Sequence, residues 1–107
     1  MKPNVLILLS DEQSGPVLGC AGHPWVRTPN LDALAARGTR FTRALTPSPI
    51  CVPARAALAT GRWVHETGHW DNATGYDGRP PGWGHALLSA GRHVESIGKL
   101  HYAHADA

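Results

Sequence analysis

Val5-Leu6-Ile7-Leu8-Leu9 is an unbroken apolar run that gives way at once to Ser10-Asp11-Glu12-Gln13. Five residues are too few for a helix, and a run without polar alternation fits a strand covered on both faces. A strand of that kind belongs to an α/β sheet with helices above and below. In such sheets ligands bind beyond the carboxyl ends of the strands, so Asp11 and Glu12 leave the strand where chemistry is expected. The same run is far shorter than the roughly 20 residues of a membrane helix and lacks the length of a secretory h-region. The chain is therefore read as cytoplasmic and without a membrane partner, and Cys20 and Cys51 are read as free thiols.

At 107 residues the chain suffices for one small domain, 1–107, whose stability needs help from another segment, subunit or metal. The formal charge is +2 with the seven histidines neutral, and the ten basic residues form no block, which argues against nucleic acid as a partner.

Between these bounds, Gly and Pro punctuate the chain. Thr28-Pro29 places a capping residue before a proline at the first helical position, and Leu31, Leu34 and Ala35 give one apolar stripe. That predicts a helix ending near Arg37, with Gly38 left-handed just beyond it. Thr39 to Leu45 alternates weakly as a short strand. Pro47, Pro49 and Pro53 keep the backbone extended until a second helix starts, with Ala54 to Ala59 as strong helix formers and Gly61 as the stop. Cys51 then falls at the N-terminal mouth of this helix. Residues 62 to 82 have no clean period but the composition of an ordered functional loop. Ala86, Leu87 and Leu88, closed by Gly91, predict a third helix, and His93 to Ile97 a second core strand that exits through Gly98-Lys99-Leu100-His101. The order is that of an α/β sheet with helical cover.

At a helix mouth, unpaired backbone N–H groups favour an oxyanion and lower a thiol's pKa, and Arg55 at i+4 from Cys51 brings a permanent charge to the same face. Taken alone, such a pair is more often a small buried hydrophobe and a surface charge. Lys99 and His101 are two apart, so in an extended segment they point the same way, offering a cation and a proton donor to one pocket. His65 and His69, with Asp71 nearby, have the i, i+4 spacing seen in zinc sites, but the remaining ligands of such a site are not placed. Trp63, Trp70, Tyr76 and Trp83 could present ring faces to an organic cation or an aromatic leaving group, or be core aromatics. Cys20 reads as structural, and His93 and His104 as surface histidines.

The run from Cys51 through Pro53 and Arg55 to Thr60-Gly61 resembles the sulfatase signature, Cys-x-Pro-x-Arg continuing to Thr-Gly. Asn4 to Asp11 is similar to the family's first strand and metal-binding aspartate. Thr28-Pro29-Asn30-Leu31-Asp32 is similar to the helix that follows, and Gly98-Lys99-Leu100-His101 to its Gly-Lys-x-His element. Asp11-Glu12-Gln13, His65-Glu66-Thr67-Gly68 and Trp70-Asp71-Asn72 look closest to choline-sulfatase-like members of this alkaline phosphatase superfamily.

The resemblance implies the N-terminal part of a mixed, mostly parallel, helix-covered sheet, incomplete in this chain, with exposed apolar surface. It implies hydrolysis of a small sulfate ester by formylglycine, made from Cys51 by a formylglycine-generating or sulfatase-maturating enzyme. Arg55 would stabilise that group, while Lys99 and His101 would act on sulfate and leaving group and Trp70 and Asn72 would line the substrate mouth. A divalent cation, calcium or magnesium with manganese as a further candidate, would be held by Asp11 and would orient the residue at Cys51. Glu12 stands where many relatives carry a second aspartate, and is a ligand or not. The rival readings are a phosphodiester or phosphonate ester hydrolase of the same superfamily, and a noncatalytic remnant or a module completed by another polypeptide.

Overall fold

A computed structural model of the chain describes residues 3–103. His104, read as a surface histidine, lies outside the described residues. The chain divides into two compact units, one up to Arg43 and one from Ala44.

In the first unit, a 3-10 turn over Gly19–Ala21 packs with helix α1, Pro29–Arg37. Proline at the first position and Arg37 in the last turn follow the expected boundaries. Two local details differ. The Thr28 side chain makes no capping bond; its hydroxyl donates to Asp32 Oδ1 at 2.8 Å and accepts the Gly19 N–H at 2.8 Å. Gly38 is extended, at φ −121° and ψ −159°, rather than left-handed. The Cys20 N–H also reaches Asp32 Oδ1, at 2.6 Å, so one carboxylate ties the turn to the helix. The Thr28 hydroxyl first, and the Cys20 N–H behind it, hold the Asp32 carboxyl below the usual aspartate range against the opposing effect of burial.

The second unit carries every fully buried residue among those described. Helix α2, Cys51–Thr60, begins after an extended Ile50 and ends at Gly61, whose φ of 68° lets its N–H close on Ala57 O at 2.8 Å. One face of α2 (Val52, Pro53, Ala56, Ala59) is buried, and Tyr76 packs on it. The short α3, Val64–Thr67, falls inside the segment read as a loop. It is set by the Trp63 N–H donating to Glu66 Oε2 at 2.8 Å, three residues on. Helix α4, Trp83–Ser89, starts three residues before the expected Ala86, because Gly82 initiates it and donates its N–H to His85 Nδ1 at 3.1 Å. Only glycine fits at 82, since a Cβ there would overlap Ala59 O. Trp83 Nε1 donates to Leu58 O at 3.1 Å, a second tie between α4 and α2.

The expected strands are not formed. Among the described residues the β-pairing is a single parallel bridge between Tyr76 and Tyr102, with the Ala103 N–H on Tyr76 O at 2.9 Å. Residues 5–9, 39–45 and 93–97 have no regular structure, and Val5 (84%), Leu45 (94%) and Ile97 (90%) are almost fully exposed. The physical reason is the pairing rule. A helix satisfies its own backbone four residues away, whereas a strand needs a neighbouring strand, and these segments have none here. No described helix is long and apolar enough to cross a membrane.

Candidate functional site

The approach to Cys51 is built from prolines and hydroxyls. Pro47 and Pro49 restrict the backbone, while Thr46 Oγ1 donates to Ser48 O at 2.8 Å and the Ile50 N–H donates to Ser48 Oγ at 3.1 Å. Ser48 is buried, so this lead-in is part of the core. Ile50 remains extended at φ −101° and ψ 141°, and its carbonyl accepts the Ala54 N–H at 3.0 Å as the first helical bond. Cys51 is thus the first residue of α2, half-buried, at the end of the helix where N–H groups point outward. Pro53, fully buried, removes one donor that the first turn would leave unpaired.

Three further residues named by the sequence meet this helix end. Asn72 Oδ1 accepts the Val52 N–H at 2.9 Å, a cap supplied from twenty residues downstream. Lys99 Nζ lies 3.9 Å from Cys51 Sγ. Arg55 Nη1 donates to the Lys99 carbonyl, so one turn of α2 holds the main chain whose amine faces the sulfur. The i+4 geometry that joins Cys51 to Arg55 is therefore used indirectly: the guanidinium fixes Lys99. Arg55 also acts on Tyr102, whose phenol burial pushes up and the Arg55 charge partly draws back.

Other expectations fare differently. His101 is exposed and left-handed, φ 54°, after Gly98 at φ 102°, so the segment is not extended and the same-side argument for Lys99 and His101 does not hold. Trp70 and Trp63 are largely exposed, whereas Tyr76 is a core residue, its hydroxyl donated to Pro80 O and its ring edge-on to His69 at 5.7 Å and Tyr102 at 5.2 Å. His93 is exposed, beside Glu95 at 3.5 Å. Cys20 is a half-buried free thiol. Asp11 and Glu12 belong to the first unit and are exposed.

Their carboxylate oxygens suit a hard cation, but no group of three His, Cys, Asp or Glu side chains converges among the described residues. The described chain by itself does not form a complete cation site. A hollow of about 420 Å³ lined by Gly19, Cys20, Asp32 and Arg40 contains none of the residues the sequence singles out for chemistry.

What the sequence did not reveal is which residues position the others. His69, read there only as a possible zinc ligand, is buried and its Nδ1 donates to Thr74 O at 3.2 Å, and Thr46 and Ser48 shape the lead-in. Hydroxyl residues spaced between prolines were the available signal for the second; nothing local marks the structural role of His69.

The family model described as Sulfatase matches residues 3–106. Choline-sulfatase of Rhizobium meliloti (strain 1021) is 37% identical over 105 residues, 98% of this chain and 20% of the relative. An uncharacterized sulfatase, YidJ, of Escherichia coli (strain K12) is 39% identical over 100 residues, 94% of this chain and 20% of the relative. Arylsulfatase K of Bos taurus is 37% identical over 100 residues, 94% of this chain and 18% of the relative. No solved structure matches. The chain spans about a fifth of the length of these curated relatives. The family implies an alkaline-phosphatase-like α/β fold, to which the described residues contribute helices. With the Cys-x-Pro-x-Arg helix mouth at its centre and the family match running through nearly its whole length, the chain belongs to the sulfatase family.

Proposed function

We propose that this chain carries the nucleophile end of a sulfuric ester hydrolase, with Cys51 as the precursor of formylglycine. The observation that supports this most is the meeting of Cys51, Arg55 and Lys99: a helix N-terminus, an ammonium 3.9 Å from the sulfur, and a guanidinium that holds the ammonium's main chain. An anion placed there meets the positive end of the α2 dipole and a positive side chain at once.

Formylglycine, made from Cys51 by a maturating enzyme that supplies the oxidant, would supply an oxygen nucleophile at the mouth of α2 for a sulfate ester whose alcohol leaves, and an aldehyde to which the group can return when sulfate departs. The chain's own residues would bind and orient the ester. Lys99 Nζ donates to a sulfate oxygen, Arg55 fixes Lys99, and the exposed Asn72 offers its Nδ2 donors beside the α2 mouth. Exposed His101 would protonate the leaving alcohol only after the 98–101 segment turns toward Cys51. Asp11 and Glu12 are the part of a calcium, magnesium or manganese site that this chain carries, with oxygen donors of the right hardness. Trp70, 64% exposed, is a ring face for the alcohol portion. On this reading the reaction would take place in the cytoplasm, where Cys20 and Cys51 stay free thiols.

Co-expression with a maturating enzyme tests the precursor role. Intact mass should fall by about 18 Da, the difference between a thiol-bearing and an aldehyde-bearing side chain, and Cys51→Ala should abolish the shift. An unchanged mass would overturn the formylglycine reading. Rates on 4-nitrophenyl sulfate against 4-nitrophenyl phosphate separate a sulfatase from a phosphoester hydrolase. Turnover on neither by the mass-shifted chain would leave the noncatalytic reading standing.

A further inference from the structure

His69 has only 7% of its surface exposed, and among the described residues its Nε2 is buried without a hydrogen-bond partner. An apolar ring of similar size would pack edge-on against Tyr76 without leaving that nitrogen unpaired, so what the imidazole adds is its other nitrogen. A carbonyl only accepts, so Nδ1 carries the proton and donates to Thr74 O at 3.2 Å. That bond closes the segment from His69 to Thr74. Inside it, the Ala73 N–H donates to Asp71 Oδ1 at 2.9 Å, forming a local turn, and Asn72 stands between with Oδ1 on the Val52 N–H at 2.9 Å. The far side is fixed as well, since Gly68, at φ 75°, ends α3 immediately before His69.

We propose that His69 is a positioning residue for the N-terminus of α2: by holding the 69–74 turn closed it keeps Asn72 on the Val52 N–H, and so fixes the backbone from which the Cys51 side chain projects. The imidazole touches neither Cys51 nor any substrate; it acts through Asn72. This deepens the hydrolase reading and rests on it for its consequence. Its test reads the Cys51 thiol and the Val52 amide, so failure of turnover and failure of the positioning role are told apart.

The rate of Cys51 alkylation by iodoacetamide, resolved from Cys20 by peptide mass, is measured in the unsubstituted chain and in four variants. Asn72→Ala and His69→Phe should each loosen the helix mouth and raise the rate about fivefold, the scale of one capping bond. The double variant should be no faster than either single one, because both break the same connection. His69→Asn, whose amide N–H can stand where Nδ1–H stood, should return the rate to within about twofold of the unsubstituted chain, as expected when the donor is what counts. In the unsubstituted chain, the Val52 amide should exchange with deuterium more slowly than the Cys51 amide, a measurement that does not depend on any variant folding. Additive effects of the two substitutions, a His69→Asn variant as fast as His69→Phe, or a Val52 amide exchanging as fast as its neighbour would each overturn the proposal.

Discussion

Single side chains set both the charge pattern and the pH range of this molecule. Asp32 holds its proton less tightly than a free aspartate because the Thr28 hydroxyl and the Cys20 N–H stabilise its anion. A lowered carboxyl contributes stability that is present above the unfolded pKa, about 3.9, and is lost as pH falls through the folded value. Acid titration should therefore weaken the tie between the Gly19–Ala21 turn and α1 as pH falls below about 3.9, and Asp32→Asn should remove that pH dependence. Tyr76 and Tyr102 run the other way. Burial raises both phenols, with Tyr102 and Asp77 adding to Tyr76 and Arg55 opposing at Tyr102. Their contribution is complete below about pH 10 and is lost as pH rises through the folded values, so the second unit should unfold on the alkaline side, with tyrosinate absorbance appearing as it opens. On the proposed hydrolase reading Lys99 binds the sulfate, so in a matured, active protein Lys99→Ala should cost about 10- to 100-fold in kcat/KM for a sulfate ester, the scale of one charge-assisted hydrogen bond, with secondary structure by circular dichroism unchanged.

Helices and the glycines that border them carry the architecture of the second unit. Pro53, the alanines of α2 and Gly61 all favour a helix over the same ten residues, and the element forms as those preferences dictate. Gly82 contributes in another way, by letting α4 approach the carbonyl end of α2, where any Cβ would overlap Ala59 O. Gly82→Ala should therefore destabilise by about 3 kcal/mol, the upper part of the range for overpacking, as measured by urea denaturation. A change below about 0.5 kcal/mol would mean the α2–α4 contact does not form. The short α3 illustrates where a period-based reading fails: four residues are too few to show a period, and the element depends on one carboxylate, Glu66, reaching back to the Trp63 N–H.

Among the described residues, α1 and α2 formed where the sequence indicated, α4 began three residues early, α3 arose inside a segment read as a loop, and the expected strands did not form. The apolar run at 5–9 has the composition of a strand buried on both faces, yet 56% to 84% of each residue is exposed. With the chain covering about a fifth of its relatives' length, such a run has no pairing partner within the described residues. An exposed apolar run of this kind should bind the dye ANS at neutral pH, and Leu6→Lys combined with Leu8→Lys should remove most of that fluorescence; an unchanged signal would place the exposed surface elsewhere. The sequence by itself determined the bounds of α1 and α2, the position of Cys51 at a helix mouth and the family, because helical hydrogen bonds join residues only three or four apart. Tertiary structure alone decided that Asn72 caps Val52, that Lys99 faces Cys51 and that Arg55 holds Lys99. Those contacts join positions 20 to 48 residues apart, and packing, not local preference, selects among the many ways a chain can bring such distant residues together.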